Sequence, residues 1–145
     1  MTQNPQSPEY SEFGYLTVRV STAGGAIPLE NAAVNVRGGD IDDSDVIYAL
    51  TTNSDGLTPI VSLPTPPRSA SEAPQNTAPA YAVYNIDVFA RGYAPAFFHN
   101  VPVFSGITSV QPAILLPQIE NQTQNNAQHV TETPIYELGG EESNE

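Results

Sequence analysis

The residues with the clearest capacity for chemistry are four aspartates in "GGDIDDSD": Asp40, Asp42, Asp43 and Asp45. Hard oxygen ligands at such spacing suit Ca²⁺. The loop lacks the interior glycine and terminal bidentate glutamate of an EF-hand, so a solvated acidic turn competes with a calcium site. Asp55, in the following "NSDG" turn, joins them only if the two loops meet. The chain has two histidines, His99 and His129, and no cysteine. Zinc wants three or four nitrogen or sulfur ligands, which one core histidine without thiolates does not supply. No metal is expected beyond the weak calcium candidate, and no other cofactor. A triad of a serine, His99 and Asp87 can be drawn on paper, but no Gly-x-Ser-x-Gly nucleophile elbow accompanies it. His99, in "FFHNV", alternates in step with Phe97 and Val101, as a strand residue or loop-edge donor would. A glycosidase pair needs two acids across a sugar-sized cleft, and Asp87 is the only acid inside a well-defined strand run. With no lysine there is no Schiff-base or P-loop lysine. The chain is therefore expected not to be an enzyme.

Binding is the better use of these side chains. If Tyr84, Ile86 and Val88 of "VYNIDVFA" face a core, then Val83, Asn85, Asp87 and Phe89 face out. One of Phe97 and Phe98 must also turn away from the core. Phe98 paired with Phe89 would make an exposed apolar patch for a protein partner or a second copy, unless the proline-rich loop folds over it. Tyr81, at that loop's exit, offers a stacking surface to a sugar, and Arg68 lies within the loop. The candidate binding surface is thus Tyr81, Asn85, Asp87, Phe89, Phe98 and Arg68. Arg91, in "ARGYAP", reads as a solvent-facing partner for nearby acids, with Gly92 turning the chain and Tyr93 packing the corner.

The elements that must position these residues have period two. Leu16, Val18 and Val20 alternate with Thr17 and Arg19, and Val34 and Val36 straddle Asn35. "VIYALTT", "LTPIVSL", "VYNIDVFA", "AFFHNVPVF" and "VQPAILL" complete seven short β-rich runs separated by Gly, Pro and Asn-Ser-Asp-Gly. No segment carries a helical apolar stripe. The pattern predicts an all-β fold, a single seven-stranded antiparallel β-sandwich. "PTPPRSASEAPQNTAPA", residues 64–80, holds five prolines and no periodicity, so it is a functional or mobile loop.

Of the 145 residues, the polar ends cannot bury enough surface to offset the entropy of ordering. The expected organisation is a flexible head over 1–12, the sandwich over 13–117 and a disordered acidic tail over 118–145. The formal charge of −12 falls mostly on the ends, since eight acids and four arginines remain in 13–117. With no basic patch, nucleic acid is an unsuitable partner, and an anionic membrane surface is disfavoured for the same reason. No run of ~18 apolar residues predicts membrane insertion, and the first residues carry no signal-peptide pattern.

The order of the pieces resembles a known family. A strand opening on "GYLTVRV" leads to "IPLENAAVNV", "LTTNSDGLTPIVSL", "YNIDVFARGYAP" and a closing strand. This is similar to carboxypeptidase regulatory-like domains, whose fold is a transthyretin-like (prealbumin-like) Greek-key sandwich. The cues are Pro28, Asn31-Ala32, the Thr52–Gly56 turn and Gly92-Tyr93, over residues 14–117. The proline-rich insertion followed by "AYAVYNIDVFARGYAP" and "VPVFSGITSVQPAILLP" most resembles the accessory domain of clostridial spore cortex-lytic enzymes. That resemblance implies a bacterial module in contact with protein or cell-wall glycan (peptidoglycan or spore cortex) at the spore or cell envelope. The hydrolase of such enzymes lies in a separate domain. An alternative is a structural subunit of an envelope, phage-like or secretion assembly that docks partners through its tail, where "TPIYELGG" holds the anchoring residues. Related adhesin sandwiches make a Lys–Asn crosslink, which this lysine-free chain cannot.

Overall fold

Alternation along Glu12–Thr22 (β1) sends Leu16, Val18 and Val20 into the interior and leaves Arg19 in water. The same inside–outside rhythm recurs in each later strand, as a half-buried sheet requires. The computed structural model describes residues 12–39, 45–67, 81–118 and 128–132. After β1 come β2 (Ile27–Pro28), β3 (Ala33–Gly38), β4 (Val46–Thr51), β5 (Val61–Thr65) and β6 (Tyr81–Phe89). β7 (Ala96–Phe104), β8 (Thr108–Ile114) and β9 (Gln128–Thr131) follow.

These strands form two sheets packed as a sandwich. In the four-stranded sheet β1 is central: β8 lies along one side, and β5 and β2 share the other. The five-stranded sheet runs β4-β3-β6-β7-β9. Between them lies a core of Leu16, Val18, Val20, Leu63 and Leu115 against Val34, Val36, Ile86, Val88, Phe98 and Val103. Two tyrosines span the layers. Tyr84 on β6 donates its hydroxyl hydrogen to Pro64 O at 2.6 Å, and Tyr48 on β4 donates to Ser62 O at 2.9 Å. Buried threonines satisfy backbone groups where no strand can. Thr52 Oγ1 donates to Leu29 O and accepts from Ala32 N, and Thr58 Oγ1 accepts from Val18 N.

All seven expected strand runs are strands, but the sheets are mixed rather than antiparallel. β8 runs parallel to β1, and β9 runs parallel to β7. Alternation reports which face a residue takes and carries no information on strand direction, so this feature had no signature in the sequence. β9 is the second difference. Residues 128–131, expected in a tail outside the fold, pair with β7, and Val130 packs against the core. The free edge of β7 offers unpaired backbone groups, and four residues with one apolar side chain suffice to cover it. β2, the other strand beyond the expected seven, is two residues long.

Two glycines turn the chain. Gly56 (φ +78°) closes the Asn53 turn, in which Asn53 Oδ1 accepts from Asp55 N and Leu57 N. A Cβ at Gly56 would collide with the carbonyl oxygen of Val20, whose own N–H bonds Gly56 O. Gly92 has φ +86° in the Ala90–Tyr93 turn, the sign a type II turn demands at its third residue. A Cβ there meets nothing within 4 Å. Gly92→Ala should therefore cost only the left-handed strain, about 1 kcal/mol. Gly56→Ala adds a backbone collision and should cost about 2–3 kcal/mol, lowering Tm by roughly 8–12 °C. Thermal unfolding of the two variants side by side checks the ranking; equal losses would contradict it.

Candidate functional site

A change of phase in β7 decides what the five-stranded sheet shows to water. Ala96 and Phe98 are buried at even positions, Val101 and Val103 at odd ones. A regular strand cannot bury both sets. The register with β6 slips between Tyr84 and Ile86, so that Asn85 faces two residues, His99 and Asn100. Asn100 takes φ +62°, a left-handed conformation that asparagine tolerates well. This β-bulge turns Phe97 and His99 outward on one side of the slip, and Pro102 and Phe104 outward on the other.

Phe98, expected on the outer face, is therefore on the opposite one. It is 4% exposed and belongs to the core, and its neighbour Phe97 stands on the outer face instead. Counting through the bulge with unbroken alternation places His99 with Val101 and inverts the pair. Phe89 does face out, and its ring meets Phe97 edge-on at 5.8 Å. Tyr81 is half-buried against Phe104, with ring centroids 5.6 Å apart. The outer face of β6 and β7 thus has an aromatic pair at each end.

The middle of that face is polar and internally matched. Arg37 Nε donates to Asp87 Oδ2 at 2.6 Å, a pair only partly open to solvent. Asn85 donates from Nδ2 to Gly38 O at 3.0 Å and accepts from Asn100 N at 3.1 Å. Its amide thus holds the bulge and the end of β3 together. Asp87 and His99 are directed to different partners. The Asp87 carboxylate is taken by Arg37, and His99 Nε2 lies 3.2 Å from His129 Nδ1 on β9. His129 in turn stacks on Phe97 with centroids 4.8 Å apart. The outer row therefore runs Phe89, Phe97, His129, His99 across three strands. Arg91 is exposed and Tyr93 is partly buried at the corner.

Of the remaining candidates, Arg68 and Asp40, Asp42 and Asp43 lie outside the described residues, as do residues 68–80 of the proline-rich loop and the "TPIYELGG" segment. Asp45 is exposed just before β4. Among the described residues no three His, Asp, Glu or Cys side chains gather as metal ligands.

Two features of the opposite sheet were not anticipated. Its outer face exposes Phe13 and Tyr15 on β1 and Val110 and Ile114 on β8, Val110 by 54%, with Thr17, Arg19 and Ser21 in the same outward row of β1. The signal lay in "EFGYLTV" and "SVQPAI", whose off-core positions are also hydrophobic. Beyond Arg19 on this sheet, an open cleft of about 330 Å³ is lined by Arg19, Ser21, Pro28, Asp55 and Leu57.

No protein-family model and no curated protein matches the sequence. Among solved structures, a point mutant of Acinetobacter radioresistens catechol 1,2-dioxygenase is similar, with a TM-score of 0.53 and 13% identity. The match covers 91% of this chain and 61% of that one. The wild-type enzyme gives 0.51 at 13% identity, over 90% and 61% of the two chains. The Bacillus anthracis TIE protein matches 73% of this chain with 17% of its own length, at 15% identity and a TM-score of 0.47. The chain thus spans less than two thirds of these relatives, and identities this low establish the fold alone.

The face assignments in β7 are open to a direct check. Phe98→Ala empties a core site and should cost about 3–5 kcal/mol. Phe97→Ala, on the outer face, should cost no more than about 1 kcal/mol. Urea denaturation of both variants decides; a reversed order would mean that the bulge is misplaced.

Proposed function

We propose that this chain is a non-catalytic β-sandwich module of the carboxypeptidase regulatory-like, transthyretin-like kind, acting through contacts with protein or cell-wall glycan. The observation that carries the reading is the apolar outer face of the four-stranded sheet. Phe13 and Tyr15 on β1 and Val110 and Ile114 on β8 are exposed on that face, with Val110 beside Thr17 and Ile114 beside Ser21. Several large apolar side chains exposed on one face mark a contact site more often than an idle surface. On the other sheet, Phe89 and Phe97 present ring surface that suits stacking on a sugar, as does Tyr81. Retention of the full chain on purified peptidoglycan or spore cortex at moderate salt is the expected result for the wall-binding form. Phe89→Ala combined with Phe97→Ala should reduce it several-fold. Complete passage through the column removes glycan as the partner and leaves protein.

A second reading has its own support. Residues 128–131 already behave as an added strand on β7, and a subunit of an envelope or secretion assembly would use such a segment to dock partners. Light scattering across a concentration series distinguishes it. Association that grows with concentration and is abolished by Val110→Asp supports assembly through the apolar face, whereas a strict monomer counts against a self-assembling subunit.

A further inference from the structure

The whole chain contains two histidines and no cysteine, and the fold brings both imidazoles together. His99 Nε2 and His129 Nδ1 are 3.2 Å apart, with the rings within 3° of parallel and their centroids at 5.5 Å. That centroid spacing is the nitrogen separation plus one ring radius at each end. The rings therefore meet edge to edge, with the facing nitrogens sharing one hydrogen. The pair is built on strands, not loops. Gln128 N bonds Pro95 O and Glu132 N bonds His99 O, each at 2.9 Å, on either side of His129. Phe97 stacks on the His129 ring, and the bulge at Asn100 sets the direction of His99.

We propose that His99 and His129 form a two-imidazole site for a divalent transition-metal ion, with Cu²⁺ bound most tightly. Two nitrogens held by one ion at roughly 2.0–2.1 Å, at angles between square and tetrahedral, lie roughly 2.9–3.4 Å apart. The observed separation falls inside that window, although the two lone pairs face each other and must turn towards a common point to share an ion. Each ring turns about its Cβ–Cγ bond until both lone pairs meet on the solvent side. The shared hydrogen passes through water to the far nitrogen of its own ring, so both facing nitrogens present a lone pair. Imidazole suits copper, nickel and zinc, and affinity along the first row peaks at copper. Among the described residues, Glu132 accepts from Gln111 Nε2 and Asp87 binds Arg37. Water completes the coordination sphere, and the ion is exchangeable. The inference needs only the two imidazoles and stands apart from the contact-module reading.

The test is a copper titration of the full chain without a histidine tag, followed by calorimetry and electron paramagnetic resonance. One Cu²⁺ per chain with two equatorial nitrogen ligands is expected. His99→Gln and His129→Gln should each lower affinity by at least about tenfold, and the double variant should lose little more than either single one. Both positions are on the outer face, and circular dichroism verifies that the variants fold. Copper should raise Tm in the native chain and not in His129→Gln, because only a two-ligand ion ties β9 to β7. Excess Ca²⁺, which prefers oxygen ligands, should not displace it. Unchanged affinity in either single variant, a one-nitrogen spectrum, displacement by Ca²⁺, or a native chain that binds no more copper than the double variant would each overturn the proposal.

Discussion

The pairing of β6 with β7, with its one-residue slip, is the constraint on which the rest of this sandwich depends. β7 carries two apolar sets out of phase, Ala96 and Phe98 before the slip and Val101 and Val103 after it. Both can be buried only if one residue leaves the alternation. Asn100 does so, at a backbone angle that few other residues would accept, and Asn85 binds the residue left over. Because β6 also pairs with β3, the same amide reaches Gly38 and ties three strands at one point. If the slip were lost, Val101 and Val103 would face water and the far half of the core would open.

Much of the architecture was legible because burial imposes period two wherever one face of a strand is dry. Val34 and Val36 on β3, and Tyr84, Ile86 and Val88 on β6, read correctly for that reason. What the alternation could not reveal has equally physical causes. Strand direction leaves no mark on the pattern, so the parallel pairings of β8 and β9 were invisible. A bulge shifts phase without announcing itself, and "FFHNV" read as a regular strand puts Phe98 outside. Asn85 reads as an outward polar residue, which it is. Its hydrogen bonds go to the backbone, a use that spacing alone does not separate from binding. The contact between His99 and His129 depends on two of these hidden features together, the bulge and the parallel tail strand, so no motif connected residues thirty positions apart.

The two outer faces differ in how they are finished. On the five-stranded sheet Arg37 and Asp87 bond each other and the Asn85 amide bonds Gly38 O and Asn100 N, so the middle of the face asks little of a partner. Its aromatic rings lie towards the two ends. The β1/β8 face has no such matched centre, and Arg19 is the only charge among its exposed β1 residues within the sheet. A partner that reached Ile114 would also cover Arg19, which pairs with Pro112 between Val110 and Ile114. One confined to Tyr15 and Val110 would remove apolar surface from water without stripping hydration from that charge. Such burial is the cheaper desolvation.

β9 is short, and its backbone pairs on one side only, with β7. Four residues with one core contact, Val130, make a strand of low local stability, and such segments sit at the end of the range where opening is easiest. His129 lies in this strand, against Phe97 and His99. Any interaction that favours the facing arrangement of the two rings therefore also favours the closed edge of β7. The coupling holds in both directions: whatever displaces β9 must also separate the imidazoles, because free energies linked through one conformational step are reciprocal. The edge of the sheet and the histidine pair consequently act as one element.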